Sequence, residues 1–179
     1  MSARTLTLYP FASETAPEGV SITASVSRQS KGLAVKFSLD DPHSLVQIQS
    51  RSPNPARRDN LWQATCLEFF FSCPGSTAYW EFNLSPSGDW NVYQLNAYRQ
   101  GLREEKVFVT LPFSVEASAK HCILDLKVDV SLLVHAEQAI ELGVTAVIKT
   151  KRGDHSYWAL THCGAQPDFH LRESFVLSF

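Results

Sequence analysis

The sequence predicts an all-β fold, an antiparallel β-sandwich with at most one short helix, and three observations carry that expectation. Apolar residues recur at every second position in several stretches, the pattern of a strand with one face on a core and one toward solvent. Turn signals rich in glycine, proline, serine and aspartate fall between those stretches. Aromatic residues make up 11% of the 179-residue chain while methionine occurs once, a balance that favours strands over helical packing.

A first strand is expected over residues 5–9. Val20, Ile22, Ala24 and Val26 alternate with serines and a threonine, and Leu33, Val35, Phe37 and Leu39 repeat the pattern. Over residues 65–72, Leu67, Phe69 and Phe71 share one face, which leaves Cys66, Glu68 and Phe70 on the other. Over 79–84, Trp80, Phe82 and Leu84 face inward and Tyr79, Glu81 and Asn83 outward. Ser85-Pro86-Ser87-Gly88-Asp89 then turns the chain into a strand over 90–98, because glycine accepts the positive φ that tight hairpins require. Residues 106–110 form a further short strand. Cys122, Leu124, Leu126, Val128 and Val130 alternate mostly with charged residues, and only 130–138 has a helical look, worth one or two turns. Ile140, Leu142, Val144, Ala146 and Ile148 give another strand, which Arg152-Gly153-Asp154 joins to one over 155–161. A last strand is expected over 174–179. With no repeat, low-complexity tract or linker, a single domain over 1–179 is expected, able to bury roughly 70% of the surface its unfolded form exposes.

Composition excludes several classes. Net charge is −2 with no long run of one sign, so no nucleic-acid footprint exists. The N-terminus lacks a signal peptide's apolar core, and no apolar run approaches the ~20 residues of a membrane span. A cytoplasmic protein with reduced thiols and no membrane partner is expected. Cys66, Cys73, Cys122 and Cys163 form no C-x-x-C pair and read as buried or half-buried free thiols. No G-x-S-x-G elbow, P-loop or G-x-G-x-x-G is present, and no cofactor is expected.

The most informative stretch runs from Arg57 to Phe71. A charged loop, with Arg58, Asp59, Asn60 and Gln63, delivers Trp62, and a strand follows that carries one carboxylate, Glu68, among apolar residues. A flat aromatic face beside a hydrogen-bond acceptor suits a sugar ring, whose C–H faces stack on indole and whose hydroxyls need partners. If the strands over 65–72 and 79–84 pair, Glu68 and Glu81 or Asn83 share an outer face. Asn91 and Tyr93 extend that face in one register, Trp90, Gln94 and Asn96 in the other. That face reads either as a covered sheet with satisfied polar groups or as a concave binding surface. Glu68 and Glu81 are also the pair available for glycoside hydrolysis, which needs carboxylates roughly 5–10 Å apart.

A second cluster is His155 to His162, followed by Pro167-Asp168-Phe169-His170. Trp158 and His162 fall on one side of a strand with Leu160 between them. Trp158 is therefore either the opposing wall of a sugar clamp or a core residue beside Leu160. His162, Cys163, Asp168 and His170 are spaced irregularly, unlike zinc ligands, so loop histidines satisfied by backbone or water are expected and no metal.

Leu61-Trp62-Gln63-Ala64-Thr65-Cys66-Leu67-Glu68-Phe69-Phe70-Phe71 and the segment from Tyr79 to Trp90 resemble the DOMON-like superfamily, a jelly-roll-like sandwich group, and within it carbohydrate-binding module family 9. Tyr157-Trp158-Ala159-Leu160-Thr161-His162 and Pro167-Asp168-Phe169-His170 look like the C-terminal signature of a bacterial DOMON-like group. The resemblance implies a non-catalytic sandwich in which two tryptophans clamp a terminal sugar while a glutamate and an arginine bond its hydroxyls. Trp62 and Glu68 match that loop tryptophan and the glutamate six residues later; Trp158 and Arg99 match by approximate location. Other superfamily members bind haem through Met and His, but Met1 is no internal axial ligand.

The expectation is a non-catalytic module that binds a small carbohydrate through Trp62, Glu68, Trp158, Arg99, Glu81, Asn83 and His162. A protein-interaction or assembly module, a glycoside-acting enzyme and a haem-binding domain are the alternatives. The sequence leaves the sugar and the oligomeric state open.

Overall fold

The structure is a computed structural model and describes residues 4–11, 16–29 and 31–179. Met1 lies outside the described residues. The strands in chain order are β1 (Arg4–Pro10), β2 (Ser21–Gln29), β3 (Gly32–Asp40), β4 (Cys66–Ser72), β5 (Tyr79–Leu84), β6 (Trp90–Leu95), β7 (Arg103–Glu104), β8 (Phe113–Ala117), β9 (His121–Asp129), β10 (Glu141–Lys149), β11 (His155–Ala159) and β12 (Leu177–Ser178). They pair in the order β7-β6-β5-β4-β10-β11-β1-β2-β3-β9-β8, with β12 also on β10. Every pairing between these strands is antiparallel.

The continuous order folds over into two layers, and β1 belongs to both. Arg4 to Leu8 pair with β2, whereas Tyr9 and Pro10 pair with Ala159 and Trp158 of β11. The inward residues of both layers form one core. Ile22, Val35, Phe37, Leu124 and Leu126 come from the first layer and Leu67, Phe69, Phe82, Val144 and Trp158 from the second. Phe69 stacks on Phe82 with centroids 4.4 Å apart, and Phe71 stacks on Trp80 at 5.1 Å.

The layers differ in what the sequence reveals of them. β2, β3 and β9 alternate buried and open positions, as one solvated face demands. β4 is buried at every position. Its outer face is covered by a second apolar cluster that includes Phe70, Tyr79, Tyr93, Val147, Phe169 and Phe175. Gly143, opposite Phe70 on β10, permits this cover. A Cβ there would meet the Phe175 ring and the Ser174 carbonyl oxygen, each at 3.2 Å.

Both expected hairpins form. Gly88 has φ of 92° between β5 and β6, and Gly153 has φ of 97° between β10 and β11. Four expectations need correction. Residues 130–138 hold only a 3-10 turn, Val130–Leu132, which the Asp129 carboxylate caps at the Ser131 N–H (2.9 Å); beyond it Val134 packs into the core and the His135 and Ala136 carbonyls accept from Arg28 instead of from a helical ladder. Residues 106–110 make no strand: the Phe108 carbonyl accepts from Arg57 Nη2 at 2.7 Å, and its ring packs edge-on to Phe82. Residues 174–179 contribute only the two-residue β12 after a 3-10 turn, Arg172–Ser174. Cys163 is exposed, whereas Cys66 and Cys122 are buried and Cys73 is half-buried; all four are free. The edge strand β8 escaped sequence reading because only Phe113 and Val115 mark its inner side among exposed neighbours. No helix among the described residues is long and apolar enough to cross a membrane.

Candidate functional site

The outer face of the second layer carries an open cleft of about 340 Å³. Strand register builds its floor. Glu68 lies opposite Asn83 and Thr145, Phe70 opposite Glu81, and Glu81 opposite Tyr93. Glu68 and Glu81 are thus diagonal neighbours on one face. This settles the register of β6 in favour of Asn91 and Tyr93; Trp90 packs in the core instead.

The loop before β4 brings Trp62 to the mouth of the cleft. Asn60 adopts φ of 61° and starts a 3-10 turn, Leu61–Gln63, which aims the indole at the floor. Trp62 is 37% exposed and meets the Tyr93 ring at 6.0 Å and 64°. A polar network fixes this loop. Tyr93 Oη donates to Asp59 Oδ1 at 2.7 Å, and Asn91 Nδ2 donates to Tyr93 Oη at 2.8 Å and to Asp59 Oδ1 at 3.1 Å. Behind it, Arg57 donates to Asn91 Oδ1 and to the carbonyls of Val92, Glu105 and Phe108, with its guanidinium 4.4 Å from the Trp90 ring centroid. Arg57→Ala is expected to destabilise the protein by about 2–4 kcal/mol, since it leaves half-buried acceptors unpaired. Arg57→Lys should recover little, because an ammonium cannot reproduce the fork. Denaturant midpoints of the two variants check this.

The opposite rim comes from the β6–β7 loop and the segment after β11. Arg99, at φ of 52°, donates its backbone N–H to Tyr79 Oη (3.2 Å) and its Nη2 to Asp168 Oδ1 (3.0 Å). Tyr98 Oη donates to Asp168 Oδ2 at 2.6 Å, and the His170 N–H donates to Asp168 Oδ1 at 3.0 Å. Burial alone would raise the Asp168 carboxyl, but the bonds from Tyr98, Arg99 and His170 hold it below the usual carboxylate range. His170 Nδ1 lies 2.8 Å from Tyr79 Oη, and burial, with the Arg99 charge nearby, pushes its pKa down to about 4. The imidazole is therefore neutral at pH 7.

The floor carboxyls are the electrostatic centre. Glu68 is 2% exposed and Glu81 5%. Burial raises Glu68 well above the usual carboxylate range, and the neighbouring Glu81 charge raises it further, against opposition from Cys66 and Thr145. Burial pushes Glu81 up to about 7, although Asn83 and Arg99 pull the other way. Asn83 Nδ2 donates to Glu81 Oε1 at 2.8 Å. Glu68 Oε2 has one distant partner, Thr145 Oγ1 at 3.5 Å, and Glu68 Oε1 has none.

Of the residues expected from sequence, Trp62, Glu68, Glu81 and Arg99 line this cleft. Asn83 stands beside them as the buried partner of Glu81 and does not line it. Trp158 is a correction. It is 3% exposed, packs in the inter-layer core and donates Nε1–H to Ser156 Oγ at 2.9 Å. Strand alternation decides this: Trp158 and Ser156 point inward, so Tyr157 points outward into the cleft. His162 is a second correction. Its Nε2 lies 2.9 Å from the Tyr9 carbonyl oxygen and its ring meets Phe11 edge-on, away from the cleft lining. Sequence reasoning missed Tyr157, Phe169 and His170 as lining residues, although both segments that carry them had been singled out. The usable signal was parity: the residue next to a core tryptophan faces the other way. Among the described residues no group of three or more His, Cys, Asp or Glu side chains is arranged to hold a metal.

No protein-family model matches the chain, and no curated protein matches it in sequence. Solved structures match it in fold. A candidate carbohydrate-binding protein from Bacteroides uniformis ATCC 8492 aligns with TM-score 0.74 at 13% identity, covering 98% of this chain and 85% of that one. A family 9 carbohydrate-binding module from Caldicellulosiruptor kristjanssonii, in complex with cellotriose, aligns with TM-score 0.54 at 7% identity, covering 88% and 72%. At such identities the likeness is one of fold, and the β-sandwich is what it establishes.

Proposed function

We propose that the chain is a non-catalytic saccharide-binding module, a DOMON-like sandwich over residues 1–179 that takes a small sugar or glycan end in the cleft between Trp62 and Arg99. The observation that carries the reading is an open cleft of about 340 Å³ with an exposed indole at its mouth and buried carboxyls on its floor. That volume is at the small end of ligand pockets. Trp62 supplies a flat face for sugar C–H groups, and Tyr157 replaces Trp158 as the aromatic residue across the floor. Glu68 and Glu81 offer acceptors to hydroxyl groups, and Arg99 offers donors at the rim. The fold shared with a candidate carbohydrate-binding protein and with a cellotriose-bound module supports the same reading.

A glycoside-acting enzyme is the rival reading, since Glu68 and Glu81 share the cleft floor and burial raises both carboxyls.

Calorimetry against a panel of neutral mono- and oligosaccharides tests the proposal. Trp62→Ala is expected to weaken binding about 30-fold or more, the loss typical of a central aromatic anchor, with the melting temperature little changed. A panel without a single binder, or a Trp62→Ala variant that binds normally, overturns it. Turnover of a chromogenic glycoside that disappears in Glu68→Gln would show that the site is an enzyme's.

A further inference from the structure

We propose that the cleft seats a protonated amine, carried on a small hydroxylated ligand such as an amino sugar, with the ammonium between Glu68 and Glu81. The inference rests on the saccharide reading and narrows it to a ligand class.

Two buried carboxyls on one floor, with only neutral partners, suit a cation at this point. Glu68 is almost fully buried, lines the cleft and has one oxygen without any partner. Glu81 receives one bond, from the neutral Asn83 amide. Among the described residues, neither carboxyl has a cationic hydrogen-bond partner. The Arg99 guanidinium is paired with Asp168, and His170, held on Tyr79, is uncharged at neutral pH. Among the described residues no lysine lines the cleft. The remaining titratable groups facing the pair are weak acids: Cys66 on the same strand, Tyr79 and Tyr93 on the neighbouring strands, and Tyr157 on β11. Asp59, bonded to Tyr93 Oη, adds only negative charge.

A sugar hydroxyl donates one hydrogen bond and brings no charge, so a neutral sugar can bond both carboxyls through two hydroxyls yet gives neither a reason to ionise. An ammonium donates three and can serve both. The ring of Trp62, Phe70, Tyr157 and Phe169 adds aromatic faces of the kind that attract organic cations. Ligand enters as R–NH3+; burial keeps both carboxyls protonated at about pH 6, and one of them gives its proton to solvent to become the carboxylate that pairs with the ammonium, while the other keeps its proton and accepts through its carbonyl oxygen.

Calorimetry at about pH 6, below the Glu81 pKa of about 7, reads the outcome with D-glucosamine, D-glucose and cyclohexylamine as probes. Glucosamine is expected to bind about tenfold or more tighter than glucose, as charge-assisted bonds replace neutral ones. Heats in two buffers of different ionisation enthalpy should show release approaching one proton per amine bound. Glu68→Gln should collapse the preference for the amine; the proton count in the unmodified protein decides the matter if that variant does not fold. Glucose binding as tightly as glucosamine overturns the ammonium seat and leaves the saccharide reading standing. Cyclohexylamine matching glucosamine, with the whole neutral panel blank, upholds the seat and removes the saccharide reading. Binding by none of the three probes overturns the seat.

Discussion

Trp158→Ala is expected to lower stability by about 3–5 kcal/mol, the usual cost of removing a large buried aromatic. The indole is walled in by both layers, and its Nε1–H has only Ser156 Oγ as a partner, so the substitution opens a cavity and leaves that hydroxyl unserved. The effect separates the two tryptophans: sequence favoured Trp62 as a loop residue and left Trp158 open between clamp wall and core. Trp62→Ala should leave the denaturation midpoint nearly unchanged, because the ring is 37% exposed and meets chiefly the Tyr93 edge. Trp158→Phe, which refills most of the volume without a polar atom, should recover much of the loss. Equal stability of the Trp158→Ala and Trp62→Ala proteins would contradict the layer assignment.

Glu81→Gln is expected to stabilise the protein above pH 7, by on the order of 2–3 kcal/mol. The sign follows from burial, which raises the Glu81 carboxyl to about 7 in the folded state. Its contribution to stability is fully present below the ordinary carboxylate pKa of about 4.3 and is lost as pH rises through about 7. An amide of the same shape mimics the protonated acid and still accepts from Asn83, so it removes the dependence. His170 runs the other way. Its depressed pKa of about 4 gives stability that is present above about 6.5 and lost as pH falls through 4. Between roughly pH 4.5 and 6.5 His170 opposes both raised carboxyls, Glu68 and Glu81, so the stability of the unmodified protein should fall with pH less steeply than the carboxyls alone would make it. The difference between Glu81→Gln and unmodified stability, measured by denaturant titration at pH 5, 7 and 9, isolates the carboxyl. A difference that does not grow from the first pH to the second would sink the assignment.

The first layer was legible because one of its faces is wet. β2, β3 and β9 alternate cleanly, and their apolar positions are the ones that reach the core. The second layer was legible only in part. β4 and β5 could be placed and their faces assigned by period-two counting, which put Glu68, Glu81 and Asn83 on one side. The cover over that side was not foreseen, because Phe169 and Phe175 come from irregular chain with no periodicity to read. Period-two counting also put Trp158 and Leu160 on one side correctly, yet could not say which side was the interior. That choice depends on the register of the β10–β11 hairpin, which sets Trp158 opposite Ala146, a core residue. Arg99 was found only by approximate position, since its place at the rim follows from a left-handed backbone conformation at a non-glycine residue. β8 was missed for the opposite reason: an edge strand needs few apolar residues and leaves a faint pattern.

The double allegiance of β1 has a consequence for handling and for assembly. One short segment, Arg4–Pro10, pairs with β2 through Arg4 to Leu8 and with β11 through Tyr9 and Pro10, partners far apart in the chain. If proteolysis or truncation strips that segment away, two strand edges are bared at once, each with unpaired amide and carbonyl groups. With the segment gone from every copy, the bared edges can pair only with one another or with an added strand. Shortened preparations are therefore expected to associate edge to edge and run as oligomers or aggregates in gel filtration, and a synthetic peptide spanning residues 4–11 should cap both edges and reverse the association.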